Sequence, residues 1–286
     1  MSKNIAQQDW TLEIKPKNSW FELGLAEVWN YRDLLWLFVK RDIVTVYQQT
    51  VLGVVWYFIP PILTTLMYIV IFSQVAHIST DGTPPTLFYM SGIVIWGYFA
   101  ECFNRTASTF TANSGIFGKV YFPRLVVPLS VIISSLFKFG VQFLLFIFIF
   151  VGYWIAHPGL FYLDSSILLL PVLVSLMALI AMGTGIIFSS LTTKYRDFSF
   201  LIGFGMQLLM YATPVIYPVS FLPGSLKKIA IYNPLTSIVE GFRFVFLHTG
   251  NLSLSGLAYT GLFALVTLFF GAMIFNRVER SFMDTI

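Results

Sequence analysis

LVVPLSVIISSLFKFGVQFLLFIFIFVGYWI, residues Leu125 to Ile155, reads as one apolar helix carrying a single formal charge, Lys138. At 1.5 Å per residue it would be about 46 Å long, more than the ~30 Å hydrocarbon core, so it is expected to tilt or to extend past the membrane. The stretch is not isolated. The chain is 57% hydrophobic and only 10% charged, and its mean hydropathy is positive, a balance that no water-soluble domain could bury in one core. Working outward, five further apolar runs approach spanning length: about Val54 to Val75, Thr86 to Phe103, Ser166 to Leu191, Phe198 to Tyr217 and Leu254 to Phe275. The fold class read from this pattern is an all-α membrane protein with six transmembrane helices. Pro60 and Pro61 remove backbone donors and are predicted to kink the first span.

Pro218 to Asn251 is too apolar for an ordinary loop, yet Pro223, Gly224, Asn233, Pro234 and Gly250 break it. Asn233 followed by Pro234 is an N-cap and first-turn signature, so a helix is predicted from there to about Leu247, with Gly250 ending it. That helix would be about 20 Å long, too short to cross, and the segment reads as a re-entrant or interfacial helical hairpin between spans five and six. Ahead of the first span, Tyr31 to Tyr47 interleaves Arg32, Asp33, Lys40, Arg41 and Asp42 with apolar residues, as a helix lying along the cytoplasmic interface would. A turn at Gln48 to Gly53 follows. Three regions result: a tail (1–30), the interface helix and turn (31–53) and one transmembrane domain (54–286).

Basic residues set the orientation. Lys3, Lys15, Lys17, Arg32, Lys40 and Arg41 precede span one; Arg105, Lys119 and Arg124 follow span two; Lys194 and Arg196 follow span four; Arg277 and Arg280 follow span six. The other side holds only Lys227, Lys228 and Arg243. By the positive-inside rule both termini are expected in the cytoplasm. The net charge of +4 is therefore topological, and no nucleic-acid partner is expected. The first thirty residues show no signal-peptide pattern. One cysteine, Cys102, excludes an internal disulfide framework and a cysteine-rich metal site.

No catalytic or metal constellation is legible. His77, His157 and His248 fall in separate loops, and the string nearest to a P-loop, Gly115 to Val120, lacks both the spacing and the hydroxyl. If ATP drives this protein, the nucleotide and its magnesium belong to another chain. Lys138, with Gln142 one turn on, is the costliest charge inside a span, and Glu101 in span two is its candidate partner. The two read either as a structural ion pair or as part of a polar translocation path. Glu240 and Arg243, three apart, read as a local salt bridge or as part of a gate. Trp56, Tyr57, Trp96, Tyr98 and Phe99 belong to aromatic clusters that either pack against lipid and core or line a path for sugars.

Several strings together resemble the permease subunit of ABC-2-type polysaccharide exporters, which move O-antigen, teichoic acid or capsule precursors. They are Leu37 to Ile43 with Tyr47 and Leu52 to Trp56; Ile116, then Lys119 to Arg124 with Pro128; Tyr195 to Asp197; and Tyr232 to Leu235. The resemblance runs from about Trp36 to the C-terminus. It implies a homodimer in the bacterial inner membrane, two copies of a separate ABC ATPase subunit, and a lipid-linked glycan as substrate. It also implies a coupling helix at about Asn113 to Arg124, in which Asn113, Ile116, Phe117, Lys119, Tyr121, Phe122, Pro123 and Arg124 meet the ATPase. Tyr195, Arg196 and Asp197 would assist, and Asn233, Pro234, Glu240 and Arg243 would belong to an outer gate. Other readings stay open: an ABC-2 exporter of drugs or lipids, an intramembrane glycosyl- or acyltransferase, and a channel.

Overall fold

A computed structural model describes residues 25–48, 51–159, 162, 164–195 and 197–281. Twelve α-helices run through them: α1 Leu25–Asn30, α2 Arg32–Gln48, α3 Ile59–Tyr68, α4 Pro85–Ala107, α5 Thr109–Ala112, α6 Ser114–Phe117, α7 Val126–Ala156, α8 Leu170–Lys194, α9 Phe198–Ala212, α10 Gly224–Tyr232, α11 Pro234–Leu247 and α12 Leu254–Ser281. Among the described residues five helical runs are long and apolar enough to cross a membrane: Gly53–Val75, Pro85–Ala107, Val126–Ala156, Ser165–Lys194 and Leu254–Val278.

The sixth apolar run is shorter than its sequence suggested. α9 ends at Ala212, which at 1.5 Å per residue makes it only about 22 Å long. Pro214 explains the stop, because its ring disfavours helical geometry in the residue before it, and Thr213 is extended (φ −100°, ψ 141°). The chain to Tyr217 continues without helix. Pro60 and Pro61 likewise act differently from expectation. They occupy the first turn of α3, where a missing N–H costs nothing, so the helix is opened there instead of kinked. A 3₁₀ segment, Gly53–Tyr57, precedes α3, and a π-helical segment, Ile69–Val75, follows it.

α4 is the central element. Of its apolar window 72% is buried, against 11% for Gly53–Val75, which leans on one side of the bundle. α8 packs between α4 and α12, α7 covers another face of α4, and α2 lies against α7. Small residues let α8 and α12 approach closely: a Cβ on Gly271 would stand 2.7 Å from the Gly183 carbonyl oxygen, and one on Gly183 would stand 2.7 Å from Leu268 N. α7 turns Phe139, Phe143, Phe146 and Phe150, spaced at three and four residues, onto one face. Neighbouring rings are 5.6, 6.3 and 6.2 Å apart, and Phe242 and Phe246 of α11 pack into that row.

α11 covers the range read from Asn233, Pro234 and Gly250. Asn233 Oδ1 accepts the Leu235 N–H at 3.0 Å as its N-cap, and His248 closes it in the left-handed conformation (φ 51°). It is enclosed by α4, α8 and α12, and most of its side chains are buried.

Candidate functional site

Polar groups gather at two ends of the bundle. At the end where Arg32, Lys40, Arg41, Arg105, Lys119 and Lys194 collect, a satellite core forms from Val28, Phe38, Phe110, Phe117, Phe122, Leu125 and Phe275. It joins α1, α2, α5, α6, α7 and α12. Phe38 packs on Phe122 at 5.7 Å, Phe117 on Phe122 at 5.6 Å, and Phe110 stacks on Phe275 at 4.5 Å. Two hydrogen bonds tie the same region to the end of α8: Thr192 Oγ1 to Ala107 O at 3.1 Å and Phe110 N to Ser189 Oγ at 3.4 Å.

This packing alters the reading of Asn113 to Arg124. The segment is not one amphipathic helix but a single turn, α6, followed by irregular chain, and a separate turn, α5, precedes it. Phe117 and Phe122, expected to face a partner, point inward and are 4% exposed, and Pro123 is also buried. Val120 and Tyr121 are each 58% exposed, with Lys119 beside them. Ile116 packs on the satellite core, Asn113 Nδ2 donates to Thr109 O at 2.9 Å, and the Arg124 guanidinium lies 5.4 Å from the Phe117 ring centre. Tyr195 and Asp197 are exposed, whereas Arg196 lies outside the described residues, as do Lys3, Lys15 and Lys17 of the tail.

Beside the satellite core, α2, the Gly53–Tyr57 segment, α4 and α7 enclose a polar cleft of about 600 Å³. Asp42 is its hub. Its Oδ1 accepts from Arg41 Nη2 at 2.8 Å and Nε at 3.0 Å; its Oδ2 is bonded by Arg105 Nη2 and by Ser134 Oγ at 3.4 Å. Arg105 Nη1 also donates to Ser134 Oγ at 3.1 Å. One turn deeper, Lys138 Nζ lies 2.7 Å from Glu101 Oε2 and 5.9 Å from the centre of the Tyr57 ring, and Gln142 Nε2 donates to Tyr57 O at 3.3 Å. Of the other aromatics singled out in the sequence, Trp56 is half-exposed, while Trp96, Tyr98 and Phe99 are packed in the main core. Arg32 and Lys40 are exposed on α2. In the sequence Arg105 reads only as a topological charge and Ser134 does not stand out. The signal was available: Glu101 and Arg105 are one turn apart on α4, and Ser134 and Lys138 are one turn apart on α7.

At the opposite end, Arg243 is 1% exposed and serves the backbone that α9 leaves unpaired. Its Nη1 donates to Pro214 O and its Nη2 to Val215 O, both at 2.6 Å. Its guanidinium carbon sits 3.8 Å from the centre of the Phe88 ring, and Glu240 Oε1 is 3.5 Å from Nη1. Glu240 Oε2 accepts the Asn251 N–H at 3.2 Å. A Cβ on Gly92 of α4 would be 2.8 Å from Val215 O and 2.9 Å from Arg243 Nη2, so only glycine leaves room for this junction. Asn233 Nδ2 bonds Thr213 Oγ1 at 2.9 Å, and Thr260 Oγ1 donates to Pro234 O at 3.0 Å, which ties α9, α11 and α12 together. Non-helical backbone within an apolar bundle needs such internal partners.

These features define a polytopic helical membrane protein with charged groups clustered at one end and a buried arginine junction at the other. The chain belongs to the ABC-2 type transporter family, whose model matches residues 33–247. It is similar to two O-antigen export system permease proteins RfbA of Klebsiella pneumoniae. One is 28% identical over 255 residues, covering 88% of this chain and 94% of that protein; the other is 30% identical over 258 residues with the same coverage. It is also similar to the polysialic acid transport protein KpsM of Escherichia coli, 24% identical over 247 residues, covering 86% of this chain and 93% of that protein.

Proposed function

We propose that this chain is the transmembrane permease subunit of an ABC exporter that carries a lipid-linked polysaccharide of O-antigen or capsule type across the cytoplasmic membrane. The observation that carries the reading is the near end-to-end likeness to permeases named for O-antigen export and polysialic acid transport. ATP and magnesium would be bound by a separate ATPase subunit, two copies serving a homodimer of this chain. Six crossings put both termini in the cytoplasm. α9 with the extended chain behind it makes the fifth, and α10 with α11 forms a re-entrant hairpin at the outer face, where Asn233, Pro234, Glu240 and Arg243 hold the gate.

The satellite core supports a route for coupling. A push delivered by the ATPase at Lys119, Val120 and Tyr121 passes inward through Phe117 and Phe122, because Phe117 packs on Phe122 and Phe122 on Phe38 of α2, in one core with Val126 and Val127 at the start of α7. Close-packed interiors move as units, so the interface helix and the long span shift together. Tyr195, Arg196 and Asp197 would add contacts from the end of α8. Glu101, Lys138 and Tyr57 would give the moving helices a polar seam next to the path.

Deleting the gene tests the proposal. Surface polysaccharide is expected to vanish while its lipid-linked precursor accumulates inside, with restoration by the wild-type gene. Unchanged surface polysaccharide in the deletion strain would reject the reading.

A further inference from the structure

We propose that the cleft around Asp42 and Lys138 binds the phosphate of a lipid headgroup. The side of the membrane involved rests on the orientation given under the proposed function; the binding chemistry does not. Arg41, Arg105 and Lys138 line the cleft against Asp42 and Glu101, which leaves one positive charge uncompensated.

The donors left over are on the cations. Asp42 is saturated by Arg41, Arg105 and Ser134, but Arg41 Nη1 makes no hydrogen bond among the described residues. Lys138 uses one of its three N–H groups on Glu101, leaving two. An oxyanion has the acceptors that both cations lack.

Position selects a lipid. The cleft opens beside α2, whose Trp36 and Leu37 are exposed, and beside the start of the first span, where Val55 and Trp56 are exposed. Exposed apolar and tryptophan side chains flanking a basic pocket match the headgroup layer, and basic pockets between membrane helices hold anionic headgroups there. Two sources share this chemistry: an ordinary anionic phospholipid and the pyrophosphate of an isoprenoid carrier.

Native mass spectrometry of the purified full-length protein in detergent tests this, with phosphatidylglycerol, farnesyl pyrophosphate, inorganic pyrophosphate and diacylglycerol as probes. The wild type is expected to retain at least one of the two lipid phosphates about fivefold better than diacylglycerol, the scale of one basic contact. Lys138→Gln removes that preference, and Arg41→Gln, at a 43% exposed side chain, weakens it as well. Glu101→Gln raises it, because the cleft gains a positive charge and Lys138 is released. A strut predicts loss in both Lys138→Gln and Glu101→Gln, so parallel loss overturns the proposal. Equal retention of diacylglycerol, or of inorganic pyrophosphate, overturns it too. Preference for farnesyl pyrophosphate assigns the site to the carrier, and preference for phosphatidylglycerol assigns it to a membrane lipid. Because no transport is measured, a deletion strain that keeps its polysaccharide would sink the export function and leave this result standing.

Discussion

The Arg243 guanidinium and the Val215 carbonyl oxygen are 2.6 Å apart, and through that bond α11 closes the backbone that Pro214 takes out of helix. The neighbouring bond to Pro214 O makes Arg243 a two-pronged donor, a role suited to a planar guanidinium but not to an ammonium point charge. Arg243→Met is therefore expected to cost about 3 to 5 kcal/mol, since it strands Glu240 and two carbonyls in the interior. Arg243→Lys should recover only part of this. Thermal unfolding of the detergent-solubilised protein checks both; a methionine variant as stable as wild type would show that the junction does not hold this end of the bundle.

Gly92→Ala tests the same junction from α4. The added methyl would sit 2.8 Å from Val215 O and 2.9 Å from Arg243 Nη2, so the helix or the extended chain must give way. A loss of about 1 to 3 kcal/mol is expected. Combined with Arg243→Met the two losses should fall short of additivity, because both break one contact set. Full additivity would place the effect of Gly92→Ala elsewhere.

At the basic end, the two kinds of aromatic should separate. Phe122→Ala empties a packed site between Phe38 and Phe117 and is expected to lower stability by about 3 to 5 kcal/mol. Tyr121→Ala removes a 58% exposed ring and should leave unfolding unchanged, while weakening association with the ATPase subunit by about 2 kcal/mol. Pull-down titrations beside melting curves distinguish them. Loss of association in Phe122→Ala without loss of stability would reverse the assignment.

Close approach of α8 and α12 gives a further test. Gly183→Val would drive a branched side chain into Thr267 and Leu268, whose backbones would lie under 3 Å from its Cβ. Reduced yield of folded protein and early unfolding are expected, whereas Gly140→Ala, at a position with open space, should behave as wild type.

Five of the spans were legible because each carries its own evidence: an apolar run such as Leu125 to Ile155, with Lys138 its single charge, needs no knowledge of its neighbours. The start of α11 was legible for the same reason, since Asn233 and Pro234 act locally; its end falls to His248 in the left-handed conformation, two residues before Gly250. The pairing of Lys138 with Glu101 could be read as a candidate from cost alone, because a charge inside a span asks for a partner. What escaped the sequence depends on contacts between distant segments. Phe117 and Phe122 looked like a docking face when Asn113 to Arg124 was taken as one helix; with helix only at Ser114–Phe117, the segment turns both rings inward, Phe122 onto Phe38 and Phe117 onto Phe122. Asp42 reaches Arg105 and Ser134 from 63 and 92 positions away, and Arg243 serves carbonyls 29 and 28 positions upstream. No periodicity encodes such bonds. The end of α9 was recoverable from Pro214, but the apolar run through Tyr217 masked it.

The proposed function requires that this chain move a lipid-linked glycan only when a separate ATPase drives it. Proteoliposomes holding the purified chain with its ATPase subunit, loaded with lipid-linked glycan labelled on one leaflet, measure this directly. Transfer to the other leaflet is predicted only when both proteins and ATP are present, and Tyr121→Ala should slow it. Transfer by the chain alone, or none when the complete complex hydrolyses ATP, would contradict the account.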